Sequence, residues 1–178
     1  MGLFEEIVTE AQKKGLDFLV IGGHAVNFYG YSRETADLDL LVWQDARAAW
    51  VELFRGLGYA VDRDAEAFVQ FAPPAQAEWP VDLMLVRKPT FARMLAASVE
   101  VNMYGARLRI PSLDHLVALK LHALKHTRAH RFLKDFQDVE GLVRTSHLDL
   151  QTESVRQLFL KYGNLELYEK FVRACSDD

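Results

Sequence analysis

Cysteine is almost absent from this chain, with a single residue, Cys175, among 178. No intrachain disulfide can form, so the core alone must hold the fold, and a reducing cytosol is the expected setting. Long apolar runs are missing as well. None approaches the roughly 20 residues a membrane-spanning helix requires, and the opening MGLFEEIVTE lacks the basic start of a signal peptide. Five prolines and ten glycines fit an ordinary globular chain rather than a disordered one. Positive charge is not in excess either: the formal net charge of −4 argues against a protein that simply coats nucleic acid.

What is present is an ordinary globular composition, half hydrophobic and about a quarter charged, at a length sufficient for one domain or for a small domain with a helical extension. The charge is unevenly spread. Residues 1–104 carry 9 Lys/Arg against 15 Asp/Glu, a net of −6, whereas residues 105–147 carry 8 against 4, a net of +4, and hold five of the six histidines. An acidic part followed by a basic block suits metal on one side and phosphate on the other.

Periodicity predicts the elements. FEEIVTEAQKKG reads as an amphipathic helix stopped at Gly15. DFLVIGG reads as a buried strand entering a glycine pair, AVNFYGY as a short helix or turn, and DLDLLVW as a second strand. ARAAWVELFRGLGY repeats the amphipathic pattern. AFVQFAP and PVDLMLVRKP are strands bounded by prolines, which cannot continue a ladder. FARMLAAS is a short helix, and VEVNMYGARLRIPS a hairpin turning at Tyr104-Gly105. From Ser112 onward only helical patterns follow. The expected fold class is therefore α+β: a small mixed sheet with flanking helices over residues 1–111, and a helical C-terminal part over residues 112–178.

The stretch GGHAVNFYGYSRETADLDL, residues 22–40, carries the chemistry. Alternate residues of a strand share a face, so Asp37 and Asp39 point the same way, roughly 6 to 7 Å apart, and repel each other unless something positive lies between them. A divalent metal would do this. Gly22 and Gly23 have no side chains to keep a phosphate from their backbone N–H groups. Asp82 sits in another apolar strand, with both faces read as largely apolar, where an unpaired charge would be costly. Joining Asp37 and Asp39 around one or two Mg²⁺ ions resolves that cost. Such a trio beside a glycine-lined pocket suits transfer of a nucleotidyl group from an NTP, with Asp82 as the candidate general base.

These residues resemble the DNA polymerase β-type nucleotidyltransferase superfamily, whose pattern is a hydrophobic residue and two small ones, a gap, D-h-D/E-h, and later h-D/E-h. Ile21-Gly22-Gly23, the thirteen residues from His24 to Ala36, Asp37-Leu38-Asp39-Leu40 and Val81-Asp82-Leu83 match in turn. The C-terminal half, with Lys120 and then Lys134-Asp135-Phe136-Gln137-Asp138-Val139, resembles the AbiEii/AbiGii-type toxins and their MenT relatives. That likeness implies an RNA acceptor such as a transfer RNA end, an antitoxin or other cognate protein partner, and an Asp135 that orients the nucleotide or its lysine partner.

Read without the family, Lys120 has apolar neighbours at Leu116, Val117, Ala123 and Leu124, so its ammonium group calls for an anion, which nucleotide phosphates would supply. Ser32 and Arg33 precede the acid pair, and as a loop over the triphosphate they could contact it. The spacing of Arg131 with Asp135 and of Lys134 with Asp138 also fits ordinary i,i+4 support of a helix surface. His24 reads as structural, and Trp43, Trp50 and Phe54 as packing residues. The i, i+4, i+8 spacing of His122, His126 and His130 lacks the companions of a zinc site. Two other readings compete with an RNA-directed enzyme: a small-molecule transferase resembling the aminoglycoside-modifying group, and a non-catalytic nucleotide-binding partner.

Overall fold

In the computed structural model, which describes residues 2–74, 79–126 and 129–176, the chain divides into two compact units. One comprises residues 1–25 and 34–112, the other residues 26–33 and 113–178.

The first unit is built on a five-stranded mixed sheet in the order β1-β2-β5-β4-β3. Its strands are β1 (Leu19–Val20), β2 (Leu38–Trp43), β3 (Ala60–Asp64), β4 (Phe68–Ala72) and β5 (Val81–Val86). β2 and β5 run parallel, and the other neighbouring pairs are antiparallel. A β6–β7 hairpin (Val99–Met103, Ala106–Ile110) forms a second sheet. Tyr104 and Gly105 turn it with φ of 52° and 79°, the positive values a two-residue hairpin turn demands. Helix α1 (Leu3–Lys14) buries Phe4, Ile7 and Ala11 along one stripe and stops at Gly15, as its sequence predicts. α3 (Arg47–Gly56) buries Trp50, Leu53 and Phe54. α4 (Lys88–Ala96) begins with a proline in its first turn, where no intrahelical N–H is lost.

His24, near the start of α2 (Gly22–Phe28), is 1 % exposed. Its ring lies edge-on to Phe4, Trp79 and Tyr104, and Nδ1 is 3.2 Å from the Tyr104 hydroxyl. It is the structural histidine its sequence context suggests.

Two features of this unit differ from the sequence reading. β3 was not expected, because AVDRD shows no apolar alternation. As an edge strand it is mostly exposed on both faces, so nothing selects for such a pattern. Nor is β5 apolar on both sides: Val81, Leu83 and Leu85 are buried, whereas Asp82 is half-buried and Met84 is exposed. The residue types of Met84 and Val86 do not reveal which face is left uncovered.

The second unit contains α5 (Leu113–His126), α6 (Ala129–Thr145), α7 (Glu153–Tyr162) and α8 (Leu165–Ser176). Leu116, Val117, Leu121, Leu124, Val139, Leu142 and Phe159 lie in its core. Phe136 stacks on Phe171 at 4.2 Å between ring centres. Among the described residues, no helix in either unit is long and apolar enough to cross a membrane.

Segment 27–33 lies along one face of α6, meeting Asp138, Gly141 and Thr145 in turn. Arg33 donates from Nε and Nη2 to both carboxylate oxygens of Asp138, at 2.5 and 3.0 Å. A side chain at Gly141 would overlap the Tyr31 ring, and the Thr145 hydroxyl is 3.2 Å from the Tyr29 carbonyl oxygen. Asn27 closes the segment by accepting from the Arg33 N–H and donating to its carbonyl oxygen, both at 2.9 Å.

Asp138 is fully buried and pairs with a second cation, Lys120, at 2.7 Å; Lys120 also reaches Asp135 at 2.8 Å. Burial opposes charge on Asp138, but the Arg33 hydrogen bonds and the attraction of Lys120 outweigh it and hold the carboxyl below its ordinary range. Burial likewise opposes the Lys120 ammonium, and Asp138 and Asp135 overrule it to raise its pKa. Asp138 is thus a buried hub rather than half of a surface pair with Lys134. Helix spacing alone could not show this, because Arg33 lies far away in sequence.

Removing the buried Asp138 carboxylate would take from Arg33 its bidentate partner and leave Lys120 with Asp135 alone, so Asp138→Ala should lose about 3–5 kcal/mol in urea denaturation. Because the folded pKa of Asp138 is depressed, its stabilisation is present above the ordinary carboxylate range and lost as pH falls through the lowered value. Between neutral and strongly acid pH, the wild type should therefore lose more stability than Asp138→Asn.

Candidate active site

The parallel register of β2 and β5 pairs Asp39 with Asp82. Paired residues on neighbouring strands share a face and lie about one strand spacing apart, roughly 4.8 Å between backbones. Two separate segments therefore deliver carboxylates side by side, next to the point where the chain leaves β1. There the Ile21 N–H donates to the Asp39 carbonyl oxygen at 2.9 Å, extending the β1–β2 ladder to that residue.

Gly22 follows, at a φ of 62° that side chains rarely adopt. A Cβ built there would fall into the Asp39 carboxylate. The missing side chain of Gly22 is thus occupied by Asp39, a use the sequence reading, which gave the glycine pair to phosphate, did not anticipate. Gly23 is buried just beyond it.

Asp37 immediately precedes β2 and is half-buried. The Thr35 hydroxyl is 3.2 Å from its Oδ1 and donates towards it. Asp82 is held from the opposite strand: Gln70, its register partner on β4, donates from Nε2 to both carboxylate oxygens at 3.1 and 3.0 Å. Sequence reasoning passed over Gln70. Its only signal was a polar residue inside the apolar run FVQF, and the register that aims it at Asp82 is not visible in the chain.

The first unit therefore gathers Asp39, Asp82, Gly22 and Gln70, with Asp37 tied to Thr35. Arg33, Lys120 and Asp135 come together in the second unit around Asp138, while Ser32 is exposed. The His122 and His126 rings are 4.7 Å apart, and the His130 side chain lies outside the described residues.

Among the described residues, no group of three or more His, Cys, Asp or Glu side chains is assembled to hold a metal ion. The donor chemistry nevertheless fits a hard cation. Like charges at directly paired positions repel, and Mg²⁺ is ordinarily held by one or two carboxylates completed by water and substrate phosphate rather than by a full protein cage.

The fold is shared with solved nucleotidyltransferases. The antibiotic-resistance factor ANT(2″)-Ia, solved with adenylyl-2″-tobramycin, superposes with a TM-score of 0.69 at 15% identity, over 90% of this chain and 94% of that one. An antigenic nucleotidyltransferase-like protein from Paracoccidioides brasiliensis gives 0.57 at 12% identity, over 98% and 90%. The lincosamide antibiotic adenylyltransferase LnuA, solved with lincomycin, gives 0.55 at 12% identity, over 79% and 96%. No curated protein matches the sequence itself. Residues 3–171 match the family described as "Nucleotidyl transferase of unknown function (DUF2204)", and with nearly the whole chain inside that match, this protein is a member of that nucleotidyltransferase family.

Proposed function

We propose that this enzyme transfers a nucleoside monophosphate from an NTP to an acceptor hydroxyl and releases pyrophosphate, with Mg²⁺ as cofactor. The observation that carries the proposal is the pairing of Asp39 with Asp82 beside a glycine whose side-chain space Asp39 fills. Asp39 and Asp82 would hold the metal, with Asp37 the further candidate the sequence supplies, and the metal when bound supplies positive charge to the triphosphate and the leaving pyrophosphate. Asp82 accepts the proton of the acceptor hydroxyl. The hydroxyl oxygen then forms its bond to the α-phosphorus as the bond to the β-phosphate bridging oxygen breaks. Gly22, half-buried, offers backbone to the phosphates. We assign Arg33, Lys120 and Asp135 to holding segment 27–33, since each has an ion-pair partner within its own unit.

For the acceptor, a hydroxyl of a small molecule is the better-supported reading. The likeness to ANT(2″)-Ia runs through nearly all of both chains. The basic block also has less charge to offer a polymer than its composition suggests, because Lys120, Arg107 and Arg144 are paired with Asp135, Glu100 and Glu140. An RNA acceptor, and with it a toxin role and an antitoxin partner of the AbiEii kind, is favoured by the exposed Lys125, Arg131 and Lys134 on α5 and α6. Pyrophosphate release with each NTP and Mg²⁺, in the presence of aminoglycosides, lincosamides or total RNA, separates the two. Release dependent on a small hydroxylated acceptor supports the first reading, and release dependent on RNA the second.

In that assay Asp39→Asn should lower turnover on the order of 10³-fold or more, the rate equivalent of the several kcal/mol a bound cation contributes, without changing the far-UV spectrum. Full activity would refute the mechanism. Gly22→Ala and Gly15→Ala supply a second check, because both glycines have a φ near 60° but a Cβ at Gly15 meets nothing within 4 Å. Gly15→Ala should lose about 1–2 kcal/mol of stability to backbone strain, and Gly22→Ala more, because its methyl group also clashes with Asp39. Only Gly22→Ala, whose methyl group displaces the Asp39 carboxylate, should also lose activity.

A further inference from the structure

We infer that Gln70 is a positioning residue for the cation site, acting through Asp82; the inference rests on the nucleotidyl-transfer reading above. Carboxylates on neighbouring strands can swing about their side-chain torsions, and two of them at paired positions repel each other. The β4–β5 register removes that freedom from Asp82. Gln70 lies directly opposite, with its Nε2 almost equidistant from the two oxygens at 3.1 and 3.0 Å.

An amide nitrogen set before both oxygens restrains the direction in which the carboxylate points. It also offsets part of the negative charge that Asp82 presents to Asp39 at the paired position. An ionised carboxylate has about four lone-pair sites, and the amide hydrogens engage at most two of them. Outer groups that orient ligands in this way typically set affinity by about 10–100-fold.

The neighbours of Gln70 leave it little latitude. Val69 and Phe71 on either side are buried, fixing the pleat that sends Gln70 to the Asp82 face. On that face Phe68 pairs with Met84 just beyond it. The side chain must span from β4 to the Asp82 oxygens with its donor end outward. Leu has a similar bulk and no donor, and Asn has the donor on a stem one carbon shorter.

The test is Mn²⁺ binding, followed by electron paramagnetic resonance, to the full chain in the presence of a non-hydrolysable NTP analogue. Wild type, Asp82→Asn, Gln70→Leu and Gln70→Asn are compared, and thermal melts report on folding. The inference expects Gln70→Leu and Gln70→Asn to weaken Mn²⁺ binding by about tenfold or more, with melting points near wild type and Asp82→Asn weaker still. Wild-type Mn²⁺ affinity in both Gln70 variants, with Asp82→Asn impaired, would overturn the role of Gln70 and leave the nucleotidyl-transfer reading standing. No Mn²⁺ binding by wild type with the analogue would overturn both. Should Gln70→Leu fold poorly, Gln70→Asn, which keeps the amide and loses only reach, decides alone.

Discussion

The parallel pairing of β2 with β5 is the constraint on which the candidate active site depends. Parallel strands cannot be joined by a tight turn, so the chain must travel away and return between them. Here it does so through α3, β3 and β4, and the register on return sets Asp82 beside Asp39. A slip of one residue would turn Asp82 to the opposite face and bring Val81 or Leu83 in its place. The burial of Leu38, Leu40, Val81 and Leu83 guards against such a slip, because each would lose its place in the core. Core packing thus fixes the chemistry: the apolar residues of the two strands set the position of the two polar ones.

Around that pair, the neighbouring elements are adapted to the carboxylates. Gly22 gives Asp39 the space a side chain would have taken, and Gln70 approaches Asp82 from the next strand. Asp138 plays a comparable part in the helical unit, where one buried carboxylate satisfies a bidentate guanidinium and an ammonium group together. Its two cations originate on segment 27–33 and on α5, so the ion cluster ties those stretches to α6. Neither arrangement is a surface salt bridge of small effect. At Asp138, a fully buried charge keeps its energy acceptable only while its partners stay in place.

Much of this was legible in the chain. Amphipathic spacing marked α1 and α3, Gly15 marked a helix stop, and Tyr104-Gly105 marked a hairpin turn. The apolar flanks of Asp37, Asp39 and Asp82 marked them as acids needing a reason to be there. These signals are local, and they arise from side-chain period and backbone freedom within a few residues. β3 escaped because an edge strand with both faces wet carries no alternation. For Asp138 the sequence offers only the i,i+4 spacing to Lys134 as a visible relation, while the structure pairs it with Arg33 and Lys120.

By itself, then, the sequence determined the α+β class and the change to an all-helical pattern near residue 112, and it carried the acids and glycines whose spacing resembles that of a nucleotidyltransferase. Tertiary structure alone decided which of those acids stand side by side, that Gly22 makes room for Asp39, that Gln70 holds Asp82, and that Arg33 and Lys120 share one buried carboxylate. The reason is physical. Period and propensity act between residues close in the chain, whereas strand register and burial are set by the simultaneous packing of segments far apart in it, and no local pattern encodes that outcome.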